Sequence, residues 1–258
     1  MSTTKYAYSA LAAAAFLAAC SGSSSGPSSA GRSVSFQLAT KSGVPGAVRG
    51  AALVGQEILT AGSDTIVVTG VQLVLRRIEL ERSVPSAVCD SLATSSDDCE
   101  EMKAGPVLLD LPLGAGALRS FNVAIDTGSY SKIKFEIHRP HGGNDAAFLA
   151  ANPGFDGVSV KMTGTYNGVA FVYTSDLEVE QEHSFVPPLT VTDSTGANLT
   201  LFVDLNGWFL NQSATGLIDP ATALTGQPNE GQVKSNVEAS LNAFEDDNHD
   251  GHDDHSSS

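Results

Sequence analysis

The chain finishes in FEDDNHDGHDDHSSS, a run that crowds carboxylates and imidazoles together. Oxygen donors recur at Asp246, Asn248, Asp250 and Asp254, with Gly251 available for a sharp turn. His249, His252 and His255 are interleaved among them. Carboxylate and amide oxygens suit a hard cation, whereas three imidazoles suit zinc, copper or nickel. Three readings compete: a solvated tail, a weak calcium loop and a transition-metal trap. A second cluster lies inside the chain, in HRPHGGND, where His138 and His141 could form a metal site with Asp145 or His183. That stretch reads more simply as a polar loop, because a strand ending at Arg139-Pro140 has to turn through Gly142-Gly143.

The element that would carry the tail is a helix. Val233, Val237, Leu241 and Phe244 recur at helical spacing, and Asn229 with Gln232 fits a cap and its return partner. This predicts an amphipathic helix over residues 229–245, packed on the body of the protein. Such a helix would end in Glu245, Asp246 and Asp247, and anions there oppose the helix macrodipole. A bound cation would relieve that conflict. The spacing Asp246-x-Asn248-x-Asp250-Gly251-x-x-Asp254 resembles the calcium loop of EF-hands and of thrombospondin- or dockerin-type repeats. The resemblance implies side-chain oxygens from Asp246, Asn248, Asp250 and Asp254 and the backbone carbonyl of His252 as calcium ligands. It also implies weak binding, since the position of the bidentate acid holds Ser257.

At the other end, Lys5 precedes a short apolar run from Leu11 to Ala19, the pattern of a secretory signal and too short to span a membrane. It closes in Leu17-Ala18-Ala19-Cys20, which resembles the bacterial lipobox. The resemblance implies cleavage after residue 19, lipidation of Cys20 and attachment to the membrane through that lipid. Ser21 fits export to the outer membrane rather than inner-membrane retention. Residues 20–33 are rich in Ser and Gly and read as a flexible tether. In that oxidising compartment Cys89 and Cys99 are expected to pair, pinning a polar excursion between strands.

Residues 34–228 read as strands. SKIKFEIH places Ile133, Phe135 and Ile137 on one face and Lys132, Lys134 and Glu136 on the other. NLTLFVDL repeats the alternation through Leu199, Leu201, Val203 and Leu205. Asn167-Gly168 sits between two alternating runs, as a type I′ hairpin turn requires. In VQLVLRRIELE the alternation slips by one residue, which predicts a bulge at Arg76-Arg77. Further strands are expected at residues 33–39, 107–111, 121–125, 177–182 and 189–192. The fold class is mainly β, an antiparallel β-sandwich of Greek-key or prealbumin-like type with one C-terminal helix. There is no convincing internal repeat. VTGVQLVLRRIEL, LLDLPL and IDTGSYSKIKFEI resemble segments of a group of uncharacterised bacterial lipoproteins with a prealbumin-like sandwich. That resemblance implies a fold and a place, not an activity.

A hydrophobic content of 41% supports a real core, and a formal charge of −15 argues against nucleic acid. No Gly-x-Ser-x-Gly elbow joins a strand to a helix (residues 22–26 match the pattern only within the Ser/Gly tether), and no His-Glu-x-x-His helix or phosphate loop is present, so the expectation is that the chain is not an enzyme. Trp208 and Phe209 are either core or an aromatic binding platform. The reading is a lipid-anchored envelope module that binds a protein or glycan partner or serves a structural role. A metal-handling lipoprotein is the rival, and a hydrolase of envelope polymers comes third.

Overall fold

The computed structural model describes residues 33–41, 55–83, 105–114, 118–124, 127–192 and 198–245. Cys20, Cys89, Cys99 and the donors Asp246, Asn248, Asp250, His252 and Asp254 lie outside them. The strands are β1 (Ser33–Lys41), β2 (Glu57–Ala61), β3 (Asp64–Arg82), β4 (Val107–Asp110), β5 (Leu118–Ala124), β6 (Gly128–Ile137), β7 (Val160–Tyr166), β8 (Val169–Ser175), β9 (Val179–Val191), β10 (Asn198–Asp204) and β11 (Leu241–Glu245). Two helices interrupt them, α1 (Ala146–Ala151) and α2 (Glu230–Ala239). The chain is mainly β and forms a sandwich. One sheet runs β11-β10-β1-β5, and the other runs β8-β7-β3-β6-β9 with β2 and β4 also paired to β3. All pairings between these strands are antiparallel except β1 with β10, which run parallel from Ser35 opposite Asn198 to Lys41 opposite Asp204.

Alternation explains the layering. Leu199, Leu201 and Val203 of β10 and Leu241 and Ala243 of β11 share one buried cluster with Ile66, Leu73 and Leu80 of β3, Phe135 of β6 and Tyr173 of β8. Trp208 and Phe209 are fully buried in it, so they are core and not a platform. The indole N–H of Trp208 donates to Ser240 Oγ at 2.7 Å, and Phe209 meets Tyr173 edge-on at 5.2 Å between ring centroids. The turn at Asn167-Gly168 has positive φ at both residues (49° and 83°), the requirement of type I′.

The bulge also forms where the pattern slips. β3 pairs with β6 in a register that shifts between Leu75 and Arg77, and Leu75 and Ile78 on either side are both buried. The extra residue keeps both halves of this long strand facing the core and re-aims the side chain of Arg76.

Several expectations need correction. The strands expected at 177–182 and 189–192 are one strand, β9, which starts at Val179 and ends at Val191; its pairing with β6 is interrupted between Ser184 and Leu189, where Val186, Pro187 and Pro188 are exposed. The C-terminal helix starts at Glu230 as expected but ends at Ala239, not 245. Leu241 and Ala243 are buried alternately with the more exposed Asn242 and Phe244 and pair with β10, so a sheet edge claims them. The sandwich thus extends to residue 245, beyond 228. The expected cap is also absent: the Asn229 side-chain amide donates to Thr222 Oγ1, and Gln232 donates to Asn236 Oδ1. Glu245 closes a strand, so the helix-dipole argument for a cation at the tail has no helix to act on.

Candidate metal centre

β6 ends in Glu136-Ile137, and His138 follows directly. Strand geometry turns Ile137 into the core and puts Glu136 and His138 on the same opposite face. The His138 N–H donates to the Val74 carbonyl, which ties the end of β6 to β3. The chain then turns through Gly142 and Gly143, both at positive φ, into a single helical turn that ends at Asp145. A third segment arrives from β8 as Asp176-Leu177-Glu178, with Leu177 buried and the two acids on its other side.

His138 is 1% exposed, and its Nε2 lies 2.8 Å from Asp145 Oδ2. The same oxygen accepts the His141 N–H at 3.1 Å. Burial alone would raise the Asp145 carboxyl, but those two hydrogen bonds, with the charges of His138 and Arg76, hold it below the usual range. An ionised carboxylate can only accept, so Nε2 carries a hydrogen, and the other ring nitrogen, Nδ1, faces away from Asp145. That atom is buried without a hydrogen-bond partner. It faces Glu178 Oε1 at 3.5 Å. A positive charge makes this approach of nitrogen to carboxylate favourable, either a proton on Nδ1 or a cation bound between the two.

Glu136 completes the arrangement. One ligand atom from each of Glu136, His138 and Glu178 lies within 4.8 Å of the others, making these a candidate metal-binding triad among the described residues. Bonds of about 2.0–2.2 Å to a tetrahedral ion place ligand atoms about 3.4 Å apart, so the His138–Glu178 edge already has ligating length. Glu136 is nearly buried and is held from the other side by Arg76, with Nη2–Oε1 at 2.6 Å and Nε–Oε2 at 3.1 Å. Asp145 fits the outer partner that fixes the tautomer of a ligating histidine. Asp176 secures the segment bearing Glu178, since it meets Lys234 of α2 at 2.6 Å and Arg139 at 3.3 Å. The hydrogen bond from Lys234 holds the Asp176 carboxyl below its ordinary value.

The internal cluster noted in the sequence is therefore brought together only in part. His138 and Asp145 meet, but His141 is exposed and contributes its backbone N–H. His183 stands apart, stacked on Phe135 at 5.7 Å, and burial lowers its pKa. Glu136 and Glu178 escaped the reading: Glu136 shares a face with two surface lysines, and Glu178 carries no local motif. The available signal was Glu-x-His at a strand end, which places an acid and an imidazole on one face.

No family model matches this chain, and no curated protein sequence does. Among solved structures, MbnP from Methylosinus trichosporium is similar over 69% of this chain and 77% of its own, with a TM-score of 0.40 and 11% identity.

Proposed function

We propose that this chain is a lipid-anchored β-sandwich of the bacterial cell envelope that binds a divalent transition-metal ion at Glu136, His138 and Glu178. The observation that carries this reading is the convergence of Glu136, His138 and Glu178, with the buried Nδ1 of His138 lacking a hydrogen-bond partner 3.5 Å from a Glu178 oxygen and the opposite ring nitrogen fixed by Asp145. One imidazole nitrogen with two carboxylate oxygens suits zinc, or manganese, iron, nickel and copper in their divalent states. It does not suit calcium, which takes oxygen ligands, or copper(I), which favours sulfur. Three protein ligands leave a coordination position open, and half-exposed Glu178 puts it toward solvent. This favours the metal-handling reading of the chain over the purely structural one. The anchor rests on Cys20: Cys20→Ala should move the protein from washed membranes to the soluble fraction, and retention after high salt would remove that part of the proposal.

The metal test must separate the sandwich from the tail. In the mature chain with His249, His252 and His255 all changed to alanine, titration calorimetry should still show one equivalent of zinc bound. If the triple change abolishes zinc binding, the tail is the site and the triad is not.

A further inference from the structure

Glu136 is the one member of the triad with a second claim on it. The Arg76 guanidinium grips both of its oxygens, using a lone pair on each. Around His138 stand three carboxylates, Glu136, Asp145 and Glu178, and Arg76 is the cation that touches one of the ligand oxygens from outside the triad. The Glu136 side chain is 10% exposed and that of Arg76 is 41% exposed. The carboxylate is therefore fixed in place, while the guanidinium has a path into water. The bulge that carries Arg76 loosens its backbone from the β3–β6 ladder at that residue.

We infer that Arg76 stands in for the metal: it neutralises Glu136 when no metal is bound, and a divalent ion entering the triad displaces it. This rests on the metal reading above. A buried carboxylate beside two others needs a counter-charge in both states. Arg76 supplies it in one and the metal in the other. Both cannot hold Glu136 at full strength, because a guanidinium within hydrogen-bond reach of a ligand oxygen withdraws its electron pair and repels the ion. Arg76 therefore weakens metal binding while stabilising the metal-free protein, and a residue that merely positioned Glu136 would do the opposite to binding.

The test uses the mature chain lacking the three tail histidines, with Arg76→Gln, Arg76→Lys and the charge-matched control Arg77→Gln. The Arg77 side chain pairs with Glu79 at 2.9 Å, and Arg77 meets Glu136 through the strand pairing of β3 with β6. Zinc affinity by calorimetry should rise about tenfold or more in Arg76→Gln and less in Arg76→Lys, which keeps a charge but loses the fork. It should stay within about twofold of the parent in Arg77→Gln. The metal-free melting temperature of Arg76→Gln should fall, and saturating zinc should restore it to the zinc-bound parent value. Weaker zinc binding in Arg76→Gln, or equal gains in Arg76→Gln and Arg77→Gln, would overturn the inference while leaving the triad standing. Absence of zinc binding in both the parent and Arg76→Gln would remove the triad as well. If Arg76→Gln fails to fold, the gain in Arg76→Lys decides alone.

Discussion

Replacing His138 with alanine should abolish zinc binding in the chain without tail histidines and destabilise the fold at the same time. His138 supplies the only nitrogen of the triad, and the two carboxylates that remain cannot discriminate zinc from the hard cations around them. The loss should exceed the roughly 10–100-fold expected when an outer partner of a metal ligand is removed. Asp145→Asn supplies that lesser case, because it keeps the imidazole and weakens its orientation. The stability loss has a separate cause. Asp145 is 6% exposed and would keep the His141 N–H but lose its imidazole partner. Removing one hydrogen-bond partner from a buried group costs about 1–3 kcal/mol, with the low end expected here because the amide still serves the carboxylate. Calorimetry and urea unfolding on the same protein read the two effects. Zinc affinity unchanged in His138→Ala would disprove the site outright.

Gly164→Ala should produce the largest loss of stability from a single methyl group. Gly164 lies in β7 opposite Val68 of β3. A Cβ there would stand 2.1 Å from the Val67 carbonyl oxygen, with the Val67 carbonyl carbon at 3.1 Å and Val68 Cα at 3.2 Å. All three atoms are backbone, in a strand that also pairs with β2, β4 and β6, so the sheet cannot move aside locally. The cost should reach at least about 3 kcal/mol, the upper end for overpacking. Gly70→Ala on the facing strand is the mild comparison, since its Cβ would meet only the Thr163 hydroxyl, at 3.0 Å. A urea midpoint for Gly164→Ala equal to that of Gly70→Ala would show that the close approach is not real.

Much of this architecture was legible because it depends on period and on local turn chemistry. Asn167-Gly168 announces its turn, and the slip at Arg76-Arg77 announces its bulge. The ambiguity at Val237, Leu241 and Phe244 was real, since spacings of three and four admit a helix while Leu241 and Ala243 also satisfy a strand. The open edge of β10 settles it, and no local pattern encodes that edge. The site was half legible for the same reason. His138 and Asp145 are seven residues apart and joined by one turn, whereas Glu178 reaches His138 only through the register that sets Ile137 against Val179. The tail attracts attention by composition, and the triad by geometry alone.

The parallel pairing of β1 with β10 dictates when the sandwich can close. A ribosome releases β1 early, yet its two neighbours are β5, which begins at Leu118, and β10, which ends at Asp204. A strand destined for the interior of its sheet therefore waits for β5 with both edges open, and then with one edge open until β10 emerges, more than half of the chain behind it. Closure across such separations is slow, and an open edge invites pairing with the wrong chain in the interval. Any protein that guards this molecule before it folds has its most vulnerable target at the newborn end.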